Sequence, residues 1–143
     1  MINQFRVQKI RAEISECERI LDISRVNLSD LHHRLDNLTT ARQESDNLRQ
    51  RFYDSLDYER YNAQCAIDVG GIRFGGGHEE SMREVLFGHS QQQALTAFLD
   101  MDDCLKQAMW RYKDKVKDEE RRISNLTNQI TNLQIQLRIA LAS

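Results

Sequence analysis

The stretch GGIRFGGGHEESMREVLFG, residues 70–88, contains all six glycines of the 143-residue chain, and the chain contains no proline. Because glycine and proline are the residues that most disfavour helix, there is no strong helix breaker before residue 70 or after residue 88. Sandwich and barrel folds, which need turn residues about every 8–12 positions, are therefore excluded. The sequence predicts two long uninterrupted segments separated by one connection.

The segment before the connection carries apolar side chains at alternating spacings of three and four, as coiled-coil helices do at their mutual contact. We call these contact positions the seam, and on this segment they are Val7, Ile10, Ile14, Cys17, Leu21, Ser24, Leu28, Leu31, Leu35 and Leu38. After Leu38 two spacings of three adjoin, which is a stammer, and the pattern continues through Ala41, Ser45, Leu48 and Phe52. We expect a helix from about residue 3 to about residue 62.

The last segment has the same pattern, and its single residue of the wrong type is Glu119. Its seam comprises Leu105, Met109, Tyr112, Val116, Glu119, Ile123, Leu126, Ile130, Leu133, Leu137 and Ala140. Ser90 and Gln93 have the spacing of a capping box, so we expect this helix over about residues 91–141. Folded back on each other, the two helices match apolar seam to apolar seam when paired residue numbers add to about 153. Parallel pairing with another molecule is the alternative.

The fold class predicted is therefore all-α, a single domain over residues 1–143 built as a long antiparallel two-helix coiled-coil hairpin. Its Gly-rich tip covers residues 63–90. Within the tip we expect a short helix over about residues 79–87, closed by Gly88. Ile67 and Val69 before Gly70-Gly71, with Ile72 and Phe74 after, have the pattern of a small β-hairpin.

Several large apolar residues lie off the seam, where a two-helix hairpin would leave them in water. We predict that they bind a helix from a partner protein. These predicted partner-binding residues are Ile20, Ile23, Val26, Trp110, Ile135, Ile139 and Leu141.

Charge is balanced along the chain, with 10 positive and 11 negative residues over 1–62, 2 and 4 over 63–90, and 8 and 7 over 91–143. No part is basic enough for a nucleic-acid partner. No stretch approaches membrane-spanning length, and the N-terminus has no apolar signal-peptide core, so we expect a cytoplasmic protein without a membrane span. Three cysteines without paired spacing indicate reduced thiols.

Residues that could carry catalysis are few and badly spaced. A phosphate-binding loop needs a lysine after its glycines, whereas Glu79 and Glu80 follow here. Successive spacings of 13, 11 and 15 in the set Cys65, His78, His89 and Cys104 match no structural zinc pattern. His32 and His33 are adjacent and point to different helix faces. We expect no catalytic residue, no metal, no cofactor and no enzymatic activity.

Two coiled-coil helices around a Gly-rich tip resemble the WXG-type helical hairpins of bacterial type VII secretion, and more narrowly the helical proteins that accompany LXG toxins. In that family the turn carries an aromatic or leucine residue, then any one residue, then glycine. The tip motif residues with this shape are Phe74, Gly75 and Gly76, and Leu86, Phe87 and Gly88. A W-x-G triplet is absent, since Trp110 lies inside the last helix. Tyr53 to Asp57 matches the family's Y-x-x-x-D/E signal but lies in the first helix.

This resemblance implies a non-enzymatic targeting chaperone that binds the helical N-terminal domain of an LXG-type toxin, together with a second small helical protein. It also implies that any export is independent of a general secretory signal. The alternative is a structural or adaptor coiled coil that self-assembles, as in phage or cytoskeletal assemblies.

Overall fold

The computed structural model describes residues 3–68 and 88–143, which form two helices. Helix α1 spans Gln4–Asp68 and helix α2 spans His89–Ala142. The two helices pack against each other, so the predicted all-helical fold with a helical hairpin architecture is confirmed for these ranges. Within them, neither helix has a stretch long and apolar enough to cross a membrane.

Helix α1 begins at an N-cap that we did not predict. The backbone N–H of Arg6 donates to Asn3 Oδ1 at 3.1 Å, and the backbone N–H of Val7 donates to the Asn3 carbonyl at 3.1 Å. The bond to the side chain satisfies one of the N–H groups that a helix N-terminus otherwise leaves to water, and the bond to the carbonyl is the first of the helix itself. The helix ends at Asp68 rather than near residue 62, because nothing between residue 62 and Gly70 breaks a helix.

Helix α2 begins at His89, before the predicted start. The backbone N–H of Gln92 donates to the Gly88 carbonyl at 3.3 Å, so Gly88 occupies the N-cap position. Ser90, which we expected to cap the helix, lies inside its first turn. The last turn is closed by the Ser143 hydroxyl, which donates to the Ile139 carbonyl at 2.8 Å.

The chain divides into two compact units, Met1–Asn37 with Met109–Ser143, and Leu38–Ala108. The division follows Asn37, next to the predicted stammer at Leu38. In the first unit the two helices are antiparallel, since residues 18–25 share a groove with residues 127–134, and residues 27–34 share one with residues 115–122. The buried core of this unit consists of Val7, Ile10, Cys17, Leu21, Ile130, Leu133 and Ala140.

In the second unit, taken by itself, the helices are also antiparallel. The rings of Phe52 and Phe98 lie 5.7 Å apart between centroids, and Arg60 Nη2 donates to Gln91 Oε1 at 2.7 Å. These pairs of residue numbers add to 150 and 151, close to the predicted sum of about 153.

Burial follows the predicted seams with one exception. Every seam residue from Val7 to Leu38 and from Leu105 to Ala140 is buried or half-buried. The prediction for Leu48 is wrong, because its side chain is 54% exposed while Arg49 is half-buried. From Ser45 the buried positions advance by four to Arg49, and only then by three to Phe52.

Most of the predicted tip lies outside the described residues. This applies to Phe74, Gly75, Gly76, Leu86 and Phe87, to the short helix over residues 79–87 and to the β-hairpin. Of the tip motif, only Gly88 is described, as the bend that precedes α2.

Candidate functional site

The surface of the first unit has two flanks, one on each side of the seam. We call flank A the side whose groove is lined by Asn27, Asp30, Leu31, Arg34, Lys115, Asp118, Glu119 and Arg122. Flank B is the side whose groove is lined by Glu18, Leu21, Asp22, Arg25, Thr127, Ile130, Thr131 and Gln134. Because a coiled coil repeats its side-chain directions every seven residues, residues separated by multiples of seven lie on the same flank.

This seven-residue rule places three of the predicted partner-binding residues on flank A. Ile20 precedes Asn27 by seven residues, Ile23 precedes Asp30 by seven, and Ile139 follows Asp118 by twenty-one. Ile20 is half-buried, while Ile23 is 48% and Ile139 58% exposed. Flank A therefore carries isoleucine on both helices.

The other predicted partner-binding residues lie elsewhere on this unit. Leu141 and Trp110 fall on flank B, and Trp110 borders a separate groove with Leu35 and Val116. Val26 and Ile135 fall on the outward faces of their helices, away from the seam. All four are substantially exposed, with Trp110 the most exposed of them. The predicted set is thus not one continuous patch.

Flank A changes chemistry along its length. Its groove, about 410 Å³ in volume, brings together three cations and three carboxylates. Beyond Arg122, helix α2 carries no charged residue until Arg138. Over that interval its exposed flank A positions are amides, namely Asn125, Gln129, Asn132 and Gln136. Since uncharged groups cost less free energy to remove from water than charged ones, this part of the flank is the easier part to cover.

Glu119 lies in the seam at the edge of the flank A groove, and its side chain is only 14% exposed. Its Oε1 lies 3.4 Å from Arg122 Nη1. Its Oε2 is buried and has no hydrogen-bond partner among the residues that the structure describes. The sequence pattern identifies Glu119 only as the residue of the wrong type in the seam.

The hydroxyls of flank B are occupied by the backbone of their own helix. Thr127 Oγ1 donates to the Ile123 carbonyl at 2.8 Å, and Thr131 Oγ1 donates to the Thr127 carbonyl at 3.0 Å. The flank B groove also contains Glu18, Asp22 and Arg25 near its apolar residues. Alongside residues 18–25 and 127–134, flank B therefore carries more charged side chains than flank A. The hydroxyls of Thr127 and Thr131 also already have hydrogen-bond partners within their own helix.

The second unit contains a charge network of its own. Asp102 Oδ2 lies 3.0 Å from Lys106 Nζ, and Asp102 Oδ1 accepts from Arg42 Nε at 2.9 Å. Hydrogen bonds from Lys106 and from Arg42 hold the pKa of Asp102 below its ordinary value. Both carboxylate oxygens are engaged. Because Arg42 lies on α1 and Asp102 on α2, this network links the two helices within the unit.

The cysteines differ in access. Cys17 is buried in the core of the first unit, Cys65 is half-buried and Cys104 is exposed. Across residues 3–68 and 88–143 no three His, Cys, Asp or Glu side chains are grouped as a metal site would require. His78, one of the four residues considered for zinc, lies outside these ranges.

No family model, curated protein or solved structure matches this chain.

Proposed function

We propose that this chain is a non-enzymatic partner protein that binds the helical N-terminal domain of an LXG-type toxin and targets it to type VII secretion. A second small helical protein would complete the bundle. The tip motifs, Phe74-Gly75-Gly76 and Leu86-Phe87-Gly88, support the family, and the apolar surface of the first unit supports the binding mode.

The observation that carries this proposal is the exposure of large apolar side chains beside a filled seam. The seam residues of the first unit are already buried or half-buried against each other. Ile23, Val26, Trp110, Ile135, Ile139 and Leu141 are nevertheless 42–70% exposed. Covering such surface is favourable by about 25 cal/mol per Å² of apolar area, so it provides a driving force for adding helices from a partner.

The experiment is co-expression of the tagged chain with the N-terminal helical domain of an LXG toxin. We expect the two to co-purify in a fixed ratio. Ile23→Asp should abolish co-purification, because it places a carboxylate where the partner would remove water. Failure of the unmodified pair to co-purify would contradict the proposal.

Ser29→Asp is the matched control for this experiment. It introduces the same charge on the same helix, at an exposed position, Ser29, that shares flank B with Asp22, seven residues before it. The control should co-purify as the unmodified chain does. Equal loss with both variants would indicate an effect of charge on folding rather than on a docking surface.

The second candidate is a self-assembling structural or adaptor coiled coil, which the same exposed apolar residues also favour. It predicts a stable homo-oligomer of the 16.8 kDa chain when the protein is purified alone. Sedimentation velocity of the lone chain separates the two candidates, since a toxin partner would not be needed to cover the surface in the second.

A further inference from the structure

The seam of the first unit buries two polar atoms that have no hydrogen-bond partner among the described residues. They are the hydroxyl oxygen of Ser24, on α1, and the Oε2 atom of Glu119, on α2. Ser24 is 1% exposed, and the side chain of Glu119 is 14% exposed. A buried polar group without a partner raises the free energy of the folded chain, and these two groups are complementary, because a hydroxyl can donate to a carboxylate. The register in which the two helices are aligned keeps them apart.

The register of the first unit follows from residues that face each other across the seam. Leu21 and Ile130 line one groove, and their numbers add to 151. Leu31 and Glu119 line the next groove, and their numbers add to 150. Ser24 and Glu119 add to 143, which is seven less than 150. In an antiparallel coiled coil a change of seven in this sum is a slide of one heptad, or about 10.5 Å along the helix axis.

A slide of one heptad keeps apolar residues opposite apolar residues, because the seam repeats every seven residues. With sums of 143 or 144, the seam pairs of the first unit besides Ser24 with Glu119 would be Val7 with Leu137, Ile10 with Leu133, Ile14 with Ile130, Cys17 with Leu126, Leu21 with Ile123, Leu28 with Val116, Leu31 with Tyr112 and Leu35 with Met109. Glu119 keeps Arg122 beside it, since both residues lie on α2. A slide in the opposite direction would place Ser24 opposite Leu133. Only one direction of sliding therefore brings the two unsatisfied groups together.

The second unit, taken by itself, already contains one contact between residues whose numbers have the slid sum. Arg42 Nε donates to Asp102 Oδ1 at 2.9 Å, and these residue numbers add to 144, whereas Phe52 and Phe98 add to 150. The long arginine side chain spans this offset. A slide of one heptad would bring Arg42 directly opposite Asp102, so this ion pair need not break. The contact between the rings of Phe52 and Phe98 would be lost, which favours the register of the structure.

We propose that α2 slides along α1 between two registers one heptad apart, and that a hydrogen bond from the Ser24 hydroxyl to Glu119 Oε2 stabilises the second register. The slide is a switch between two states, because interdigitated side chains pack in discrete arrangements. Residues 69–87, nineteen in number, are long enough as a chain to follow a displacement of this size. The switch does not depend on the proposed function. A protein bound across both helices would meet different neighbours in the two registers and would select one of them.

Disulfide trapping with the native Cys17 distinguishes the two registers. Cys17 lies in the core with Leu133, and their numbers add to 150, whereas Cys17 would face Leu126 after the slide. Leu133→Cys therefore reports the register of the structure, and Leu126→Cys reports the slid register. Both are made in a chain that carries Cys65→Ser and Cys104→Ser, so that Cys17 is the only other thiol.

The rates of disulfide formation in a glutathione redox buffer are the measurement. The Leu126→Cys variant should form its intramolecular disulfide about 10–100-fold more slowly than the Leu133→Cys variant, as expected for a register that is populated at about 1–10%. Ala140→Cys is the matched control, because it is displaced from Leu133 by one heptad in the opposite direction. Transient unfolding would oxidise this control at least as readily, since Ala140 lies near the end of α2. A Leu126→Cys disulfide that forms no faster than the control disulfide overturns the proposal.

Removing the polar pair provides the second arm. Ser24→Ala and Glu119→Leu should each slow the Leu126→Cys disulfide about tenfold or more and leave the Leu133→Cys disulfide within about twofold, because only the slid register uses the hydrogen bond between them. A Leu126→Cys rate that neither substitution lowers overturns the proposal.

Circular dichroism of the reduced variants shows whether each one folds. If Leu126→Cys does not fold, Leu35→Cys combined with Met109→Cys takes its place, since these residue numbers add to 144. Leu35→Cys combined with Val116→Cys is then the reference for the register of the structure, because Leu35 and Val116 line one groove and add to 151. The same ratio of rates and the same dependence on Ser24 are expected, and their absence overturns the proposal.

Discussion

Replacing Ser24 with alanine should stabilise the folded chain. Ser24 occupies a seam position on α1 and is 1% exposed. Its Oγ is buried and has no hydrogen-bond partner within the described part of the chain. A hydroxyl in that state has given up its bonds to water without replacing them.

The size of the effect can be worked out from three contributions. Removing an unsatisfied buried hydroxyl gains about 1–3 kcal/mol, and we use the lower part of this range, about 1–2 kcal/mol, because a hydroxyl can reorient and so reduce its loss of hydrogen bonding. Alanine is a better helix former than serine by about 0.5 kcal/mol. The cavity left by one oxygen atom costs roughly 0.5 kcal/mol. The net expectation is about 1–2 kcal/mol of stabilisation, or an increase in Tm of about 3–6 °C.

Thermal and urea unfolding followed by circular dichroism measure this change. Ser29→Ala is the control, because Ser29 is exposed on the same helix and reports helix propensity alone. A Ser24→Ala variant that is no more stable than Ser29→Ala, or that is destabilised, would refute the assignment of Ser24 as an unsatisfied buried group.

Three further predictions concern other parts of the chain. Asp102→Asn should lower the Tm at neutral pH. Because folding lowers the pKa of Asp102 from 3.8, the difference in Tm between the variant and the wild type should shrink as the pH falls below 3.8. A difference in Tm that is independent of pH would contradict the network. Asn3→Ala should destabilise by about 1 kcal/mol through loss of the N-cap, measured by urea unfolding, and Asn3→Ser should restore most of it. With Ellman's reagent, Cys104 should react rapidly and Cys17 only on unfolding; similar rates in single-cysteine variants would contradict the described burial.

The fold follows from the sequence to the extent that it depends on local pattern. Alternating spacings of three and four predict which side chains are buried over both seams, because a coiled coil buries by period. Helix ends and the continuation past the stammer are less well predicted. Leu48 fits the apolar pattern as a residue type, but the half-buried position is Arg49, whose long aliphatic stem can pack while its charge reaches water.

The candidate site depends on both helices at once, and this limits prediction from sequence. Off-seam position is enough to predict that Ile23 and Ile139 are exposed. To predict that they share one flank, and that Trp110 lies apart from them, one must also know the register in which α1 and α2 are aligned. The burial of Glu119 Oε2 depends in addition on side-chain conformation beside Leu31, which no one-helix pattern specifies.

Sedimentation velocity of the purified chain, alone and mixed with the N-terminal helical domain of an LXG toxin, tests the proposed partner binding most directly. Partner binding predicts that the 16.8 kDa chain forms no stable homo-oligomer and moves in the mixture as a complex of fixed stoichiometry, which Ile23→Asp abolishes. A stable homo-oligomer whose sedimentation is unchanged by the toxin domain would contradict it.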